Sequence, residues 1–98
     1  MFVKIHEAYR KTVAVCDAEL LGKRFEEGKK QLDVSKEFYG SEKKNEKEVL
    51  EILKDAALDD STFNLVGKKA VAAGIKSGLI SEDGVMEIKG IPYALSLL

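Results

Sequence analysis

The chain holds one cysteine and one histidine, Cys16 and His6, so a thiol nucleophile activated by an imidazole has a single possible pairing. Such chemistry needs the base within hydrogen-bond reach, a group that orients it, and donors for an oxyanion. By alternation Cys16 shares a face with Thr12 and Ala14, and His6 with Phe2 and Lys4, so a hairpin would let the two meet. No orienting group or oxyanion site accompanies them, and a lone cysteine most often packs in a core, so packing is the expectation. A metal site built from His6, Asp17, Asp33 or the Asp59-Asp60 pair would draw on dispersed residues without ligand spacing. The acidic pair suits a helix start instead, and no metal and no cofactor is expected. Gly22-Lys23, Gly28-Lys29 and Gly67-Lys68 stand outside the glycine spacing of a phosphate loop.

Two kinds of binding chemistry survive. Asn64, the backbone amides that follow it, and Lys68 and Lys69 one turn on would favour a phosphate or carboxylate if a helix starts there. An ordinary helix cap accounts for the same residues. The second kind is RNA binding. Basic doublets occur at Arg10-Lys11, Lys23-Arg24, Lys29-Lys30, Lys43-Lys44 and Lys68-Lys69, with Phe25, Phe38, Tyr39 and Tyr93 as stacking surfaces among them. A formal net charge of −1 lacks the basic excess of an independent RNA binder, so folding would have to gather the doublets onto one face.

The elements that position these groups follow from periodicity and punctuation. Residues 2–9 alternate as a half-buried strand, and residues 12–17 form its neighbour across Arg10-Lys11. Asp17 can cap a short helical turn that Gly22 closes. Residues 23–27 and 30–34 are short strands around Gly28, and Ser35 starts a single turn that stops at Gly40. Asn45 followed by Glu48 is a capping box opening a helix over residues 46–57, whose apolar stripe is Val49, Leu53 and Ala56 with Leu50 and Ala57. After the break at Asp59-Asp60-Ser61, Ser61 or Asn64 caps a second helix. That helix buries Val66, Ala70 and Ala73 with Val71 and Ile75, and Gly78 ends it. Ser81 to Gly84 is a turn, residues 85–89 a strand, Gly90-Ile91-Pro92 a break, and residues 93–98 a closing strand paired inside the sheet. Deleting residues 94–98 should therefore abolish cooperative unfolding.

Ninety-eight residues suffice for one domain, residues 1–98, and 45% apolar with 34% charged residues is a folded composition. The order of elements predicts a two-layer α+β domain, with a mostly antiparallel sheet covered on one face by two main helices. No apolar run approaches the roughly 18 residues of a membrane span and no secretory leader opens the chain, so a cytoplasmic location is expected. Charges dominated by Lys and Glu are one mark of proteins from hot environments. An apolar open edge strand is a liability that pairing relieves, so a homodimer and a monomer are both expected outcomes.

The string Val-Cys-Asp-x-Glu-Leu-Leu-Gly-Lys-x-Phe from Val15, then Leu32-Asp33-Val34-Ser35 and Phe38-Tyr39-Gly40, the later Asn64-Leu65-Val66-Gly67 and the closing Gly90-Ile91-Pro92 resemble the archaeal "domain of unknown function 424" family over nearly the whole chain. The resemblance implies an archaeal cytoplasmic α+β protein with no established activity and no catalytic residues to carry over. The family's closing motif usually reads Gly-x-Pro-His-Ala, and Tyr93 stands here at the histidine position. A phenol with an ordinary pKa near 10 is a poor base at neutral pH, so histidine chemistry is not expected there, whereas a stacking or hydrogen-bonding ring would survive the exchange. Within the strings, Lys23, Asp33 and Tyr39 have no evident structural job. These observations favour a small noncatalytic binding or adaptor domain, with a protein or RNA partner and a link to translation. The alternative is a small enzyme or anion binder at the second helix start, using Asn64, Lys68 and Lys69.

Overall fold

The computed structural model describes residues 1–96. Strands β1 (Phe2–His6) and β2 (Thr12–Cys16) pair antiparallel, from Phe2 opposite Cys16 to His6 opposite Thr12. A 3-10 turn at Ala18–Leu20 leads to the hairpin of β3 (Arg24–Glu27) and β4 (Lys30–Asp33), followed by the single-turn helix α1 (Lys36–Tyr39) and the two-residue strand β5 (Glu42–Lys43). Helix α2 (Glu46–Leu58), strand β6 (Thr62–Val66), helix α3 (Lys68–Lys76), a 3-10 turn at Glu82–Gly84, and strands β7 (Met86–Ile88) and β8 (Ile91–Leu95) complete the chain.

The main sheet runs β5-β1-β2-β6-β8-β7, and every pairing in it is antiparallel except β2 with β6. The expected α+β class and mostly antiparallel sheet are what the chain forms. One face carries α2 and α3: Val49, Leu53 and Ala56 from the first helix and Ala70, Val71 and Ala73 from the second pack on Val3, Val13, Val15 and Leu65. The other face is covered as well, by the hairpin and α1, which bring Leu32, Val34 and Tyr39 against Ala14, Cys16, Val66, Ile88 and Tyr93. The small segments between the first hairpin and α2 thus form a further layer over the sheet.

The capping box forms as the sequence predicts, with the Glu48 amide donating to Asn45 Oδ1 at 2.9 Å and the Asn45 amide donating to Glu48 Oε1 at 3.1 Å. Gly78, at φ +84°, closes α3, and the amides of Leu79 and Ile80 turn back onto the Gly74 carbonyl. A Cβ on Gly74 would run into the side-chain ends of Leu65 and Ile80, so glycine lets α3 pack on β6 without displacing them.

Four expectations are corrected. The second helix does not begin near Asn64. Residues Thr62–Val66 are an inner strand, and the switch to helix comes at Gly67, whose φ of +108° excludes ordinary side chains. Val66 therefore packs in the sheet, on the face opposite α3. The first strand stops at His6 instead of residue 9, leaving residues 7–11 as a loop. The acidic pair lies past the C-terminal end of α2, with Asp59 as its C-cap, so its partners are cations: Lys11 reaches Asp59 and Arg10 reaches Asp60, each at 2.7 Å. Finally, only Lys89 and Gly90, both at positive φ, separate β7 from β8, and Ile91 and Pro92 already belong to the strand. Pro92 is tolerated because β6 pairs with β8 only from Tyr93 onward, so its missing N–H removes no ladder bond. Ala94 and Leu95 pair with Leu65 and Asn64 as the expected closing strand requires, and Leu97 and Leu98 lie outside the described residues.

Candidate functional site

Helix α3 organises the polar chemistry of the molecule, and its two charged regions are built differently. At its N-terminus the first free amides meet the carboxylate of Asp17, which is buried at the end of β2. The Lys69 amide donates to Asp17 Oδ2 at 3.1 Å and the Ala70 amide to Asp17 Oδ1 at 2.8 Å. The Asp17 amide donates to the Val66 carbonyl at 3.0 Å and the Gly67 amide to the Pro92 carbonyl at 2.8 Å. Asp17 thus caps a helix some fifty residues away, and its side chain makes no cap bond to the adjacent 3-10 turn. A Cβ at Gly67 would lie 2.3 Å from Asp17 Cγ, so glycine here is what lets the carboxylate reach the amides. A cleft of about 220 Å³ opens beside this junction, bordered by Glu19, Leu20, Lys68, Ile91 and Pro92. Three of the strings that carry the family resemblance meet there: the one around Asp17, the one ending at Gly67, and Gly90-Ile91-Pro92.

Along its flank α3 presents a different surface. The helix carries three lysines and no acid. Its buried positions are Ala70, Val71, Ala73 and Gly74, which turn Lys69, Ala72 and Lys76 outward. Facing them is the segment between β5 and α2, held by the capping box and by the Lys44 amide on the Met1 carbonyl at 2.8 Å. Between the two runs a groove of about 370 Å³, with Lys69 and Lys76 on one wall and Lys44, Asn45 and Glu46 on the other. Ala72 and Ala73 keep its floor low. Lys44 Nζ lies 2.9 Å from Glu42 Oε2, a hydrogen bond that holds its ammonium above the usual lysine pKa. Lys76 Nζ lies 3.4 Å from Glu46 Oε1, and Lys69 makes no ion pair among the described residues.

The residues singled out from the sequence scatter over these surroundings. Lys69 lines the groove and Lys68 borders the Asp17 cleft. Asn64 lies inside β6 between Ala14 and Leu95, far from a capping position, so the triad Asn64, Lys68, Lys69 does not converge. Lys23 and Asp33 are exposed at the root of the β3–β4 hairpin, where the Val34 amide donates to the Lys23 carbonyl at 2.9 Å. Tyr39 and Tyr93 are 4% and 7% exposed and belong to one core cluster with Cys16. Burial pushes the Tyr39 phenol far up. Lys44, Asn45 and Lys76 escaped notice as a group, although Lys69 and Lys76 stand two turns apart on one helix, a spacing visible in the sequence.

The cysteine and histidine do not meet. Cys16 pairs with Phe2 and His6 with Thr12, four residues apart along the strand or roughly 13 Å. The Cys16 thiol is fully buried, and burial, followed by the neighbouring Asp17, pushes its pKa up to about 11, which suppresses the thiolate. His6 Nε2 lies 2.8 Å from the Phe38 carbonyl, and its ring stacks on Phe38 with centroids 4.4 Å apart. Lys4 Nζ also reaches α1, at the Glu37 carbonyl, so both side chains tie the short helix to β1. Among the described residues no three His, Cys, Asp or Glu side chains gather as a metal-binding group, and no helix is long and apolar enough to cross a membrane.

A solved structure of an uncharacterized conserved protein from Methanopyrus kandleri superposes with a TM-score of 0.80, covering 99% of this chain and 93% of that one at 23% identity, a likeness of fold. No curated protein matches the chain. The model of the family described as Protein of unknown function (DUF424) matches residues 6–97, and the chain belongs to that family.

Proposed function

We propose that the protein is a noncatalytic binding domain of an archaeal cytoplasmic complex, that its partner is RNA, and that the complex serves translation. One observation carries this reading. In a chain of net charge −1, one lysine from each of two basic doublets, Lys44 of Lys43-Lys44 and Lys69 of Lys68-Lys69, lines one groove with Lys76, against the single carboxylate of Glu46 in that lining. Positive charge gathered on one concave surface is the footprint of phosphate-backbone binding even where the whole chain is neutral. The groups able to do covalent chemistry have structural jobs instead: Cys16 packs, His6 pins α1, and Asp17 caps α3. The anion-binder alternative loses the Lys69 and Ala70 amides to Asp17.

Sedimentation of tagged protein from cells of the source organism tests the reading. Migration with RNA-containing particles, moved to the top of the gradient by ribonuclease, is expected. Migration unaffected by ribonuclease, or with a metabolic enzyme, would overturn it.

A further inference from the structure

Resting on that RNA-binding reading, we infer that the groove between α3 and the start of α2 seats the phosphate backbone of single-stranded RNA, without regard to base sequence. Lys69 and Lys76 are seven residues apart on one helix, which sets their Cα atoms about 10 Å apart along it, and Lys44 faces them from the other wall. Charges on two facing walls surround a single strand from both sides. A duplex, whose backbones lie at the rims of its grooves, would touch one wall at a time.

The lining fits a backbone better than a base. Ala72 and Ala73 project almost nothing into the groove, so a phosphate can approach the lysines; Met1, packed on the core beneath, adds an apolar side chain to the lining and Asn45 a polar one. No aromatic residue lines the groove, so it offers no platform on which bases stack and no means of preferring one base by stacking. Lys44 carries its own pairs, with Glu42 at 2.9 Å and Glu48 at 3.9 Å, both carboxylates at least half exposed and open to the same replacement, and the opposing charge within the lining is Glu46. Its pair with Lys76 spans 3.4 Å between side chains that are each about two-thirds exposed, an ion pair of small net worth that a phosphate can replace. Lys69 needs no such exchange.

Fluorescence anisotropy of the full chain with labelled oligouridylate and oligoadenylate, over a series of KCl concentrations, tests the inference. Equal affinity for the two is expected, with a slope of log K against log salt of about −2 for three phosphate contacts on a single strand. K69E/K76E should weaken binding by about tenfold or more and lower the slope toward about −1. The milder K69Q/K76Q variant should lose affinity in the same direction, which guards against a folding defect caused by reversed charge beside Glu46. The charge-matched K29E/K54E variant, altered outside the groove, should bind nearly as wild type. Wild-type binding with K69E/K76E unaffected overturns the groove and leaves the RNA reading standing. Equal losses in both glutamate double variants, or a strong preference for one base, also overturn the groove. No salt-dependent binding by the wild type removes both, and stronger competition by polyglutamate than by oligouridylate points to an acidic protein and overturns the inference.

Discussion

The N-terminus of α3 and its flank both carry groups that attract negative charge, yet at the N-terminus a carboxylate of the chain itself already holds two of the helix amides. At the N-terminus the Lys69 and Ala70 amides are satisfied by Asp17, delivered by β2 across the parallel β2–β6 pair and admitted by Gly67. Along the flank Lys69 and Lys76 face Lys44 over a low floor, with only exposed carboxylates nearby. The lesson is that an anion site at a helix start must be read together with whatever carboxylate the fold brings to it. Here the internal carboxylate makes the helix start a joint of the architecture, and the proposed binding surface lies one face around the helix.

If the N-terminus is a structural joint, changes there should cost stability, whereas changes on the flank should not. The largest loss is expected for Gly67→Ala. Its backbone sits at φ +108° and its Cβ would displace the Asp17 carboxylate, so backbone strain adds to two lost hydrogen bonds for about 3–5 kcal/mol in urea denaturation. Asp17→Ala leaves the Lys69 and Ala70 amides without their acceptor and should cost about 2–4 kcal/mol, with Asp17→Asn near half of that because one oxygen remains.

The interior next to the joint adds a pH dependence. The Cys16 thiol is raised from 9.0 to about 11 in the folded state, so the folded protein holds the proton more tightly than the unfolded chain does. That contribution is fully present below pH 9 and is lost as the pH rises through 11. It amounts to about 2–3 kcal/mol of weakening, and Tyr39, shifted in the same direction, adds to the loss from about pH 10. Urea midpoints measured from pH 8 to 11 should fall continuously and rise again on return to pH 8. Over the same range Cys16→Ala should show a shallower fall.

On the flank, Lys69→Ala and Lys76→Ala should each change stability by less than about 0.5 kcal/mol. Smallest of all should be the coupling between Arg10 and Asp60 in a double-mutant cycle, since their side chains are 42% and 89% exposed and salt screens them. A large effect at Lys69 or Lys76 would erase the contrast between joint and open groove.

Much of this architecture was readable in the sequence. The Asn45/Glu48 box, the Val49-Leu53-Ala56 stripe of α2, the strands around Gly28 and the Gly78 stop each rest on local chemistry, and each formed, although Ala57, expected on the same stripe, is exposed. Strand β6 did not reveal itself because Val66, Ala70 and Ala73 continue a helical spacing backward through Gly67, and only the backbone at Gly67 shows where the period changes. The Asp17 cap joins residues 17 and 69–70, and no local pattern marks a contact made through tertiary structure. For the same reason Lys44 and Lys76 stood apart in the sequence, their meeting decided by how α2 and α3 lie side by side on the sheet.

Amide chemical shifts of ¹⁵N-labelled protein titrated with oligouridylate test the division of α3 most directly. The shifts of Asn45, Ala72, Ala73 and Lys76 should move together and saturably, while Ala70, whose amide is held by Asp17, and Gly67, whose amide is held by the Pro92 carbonyl, stay in place. Movement concentrated at Gly67 and Ala70 with the groove silent would contradict it.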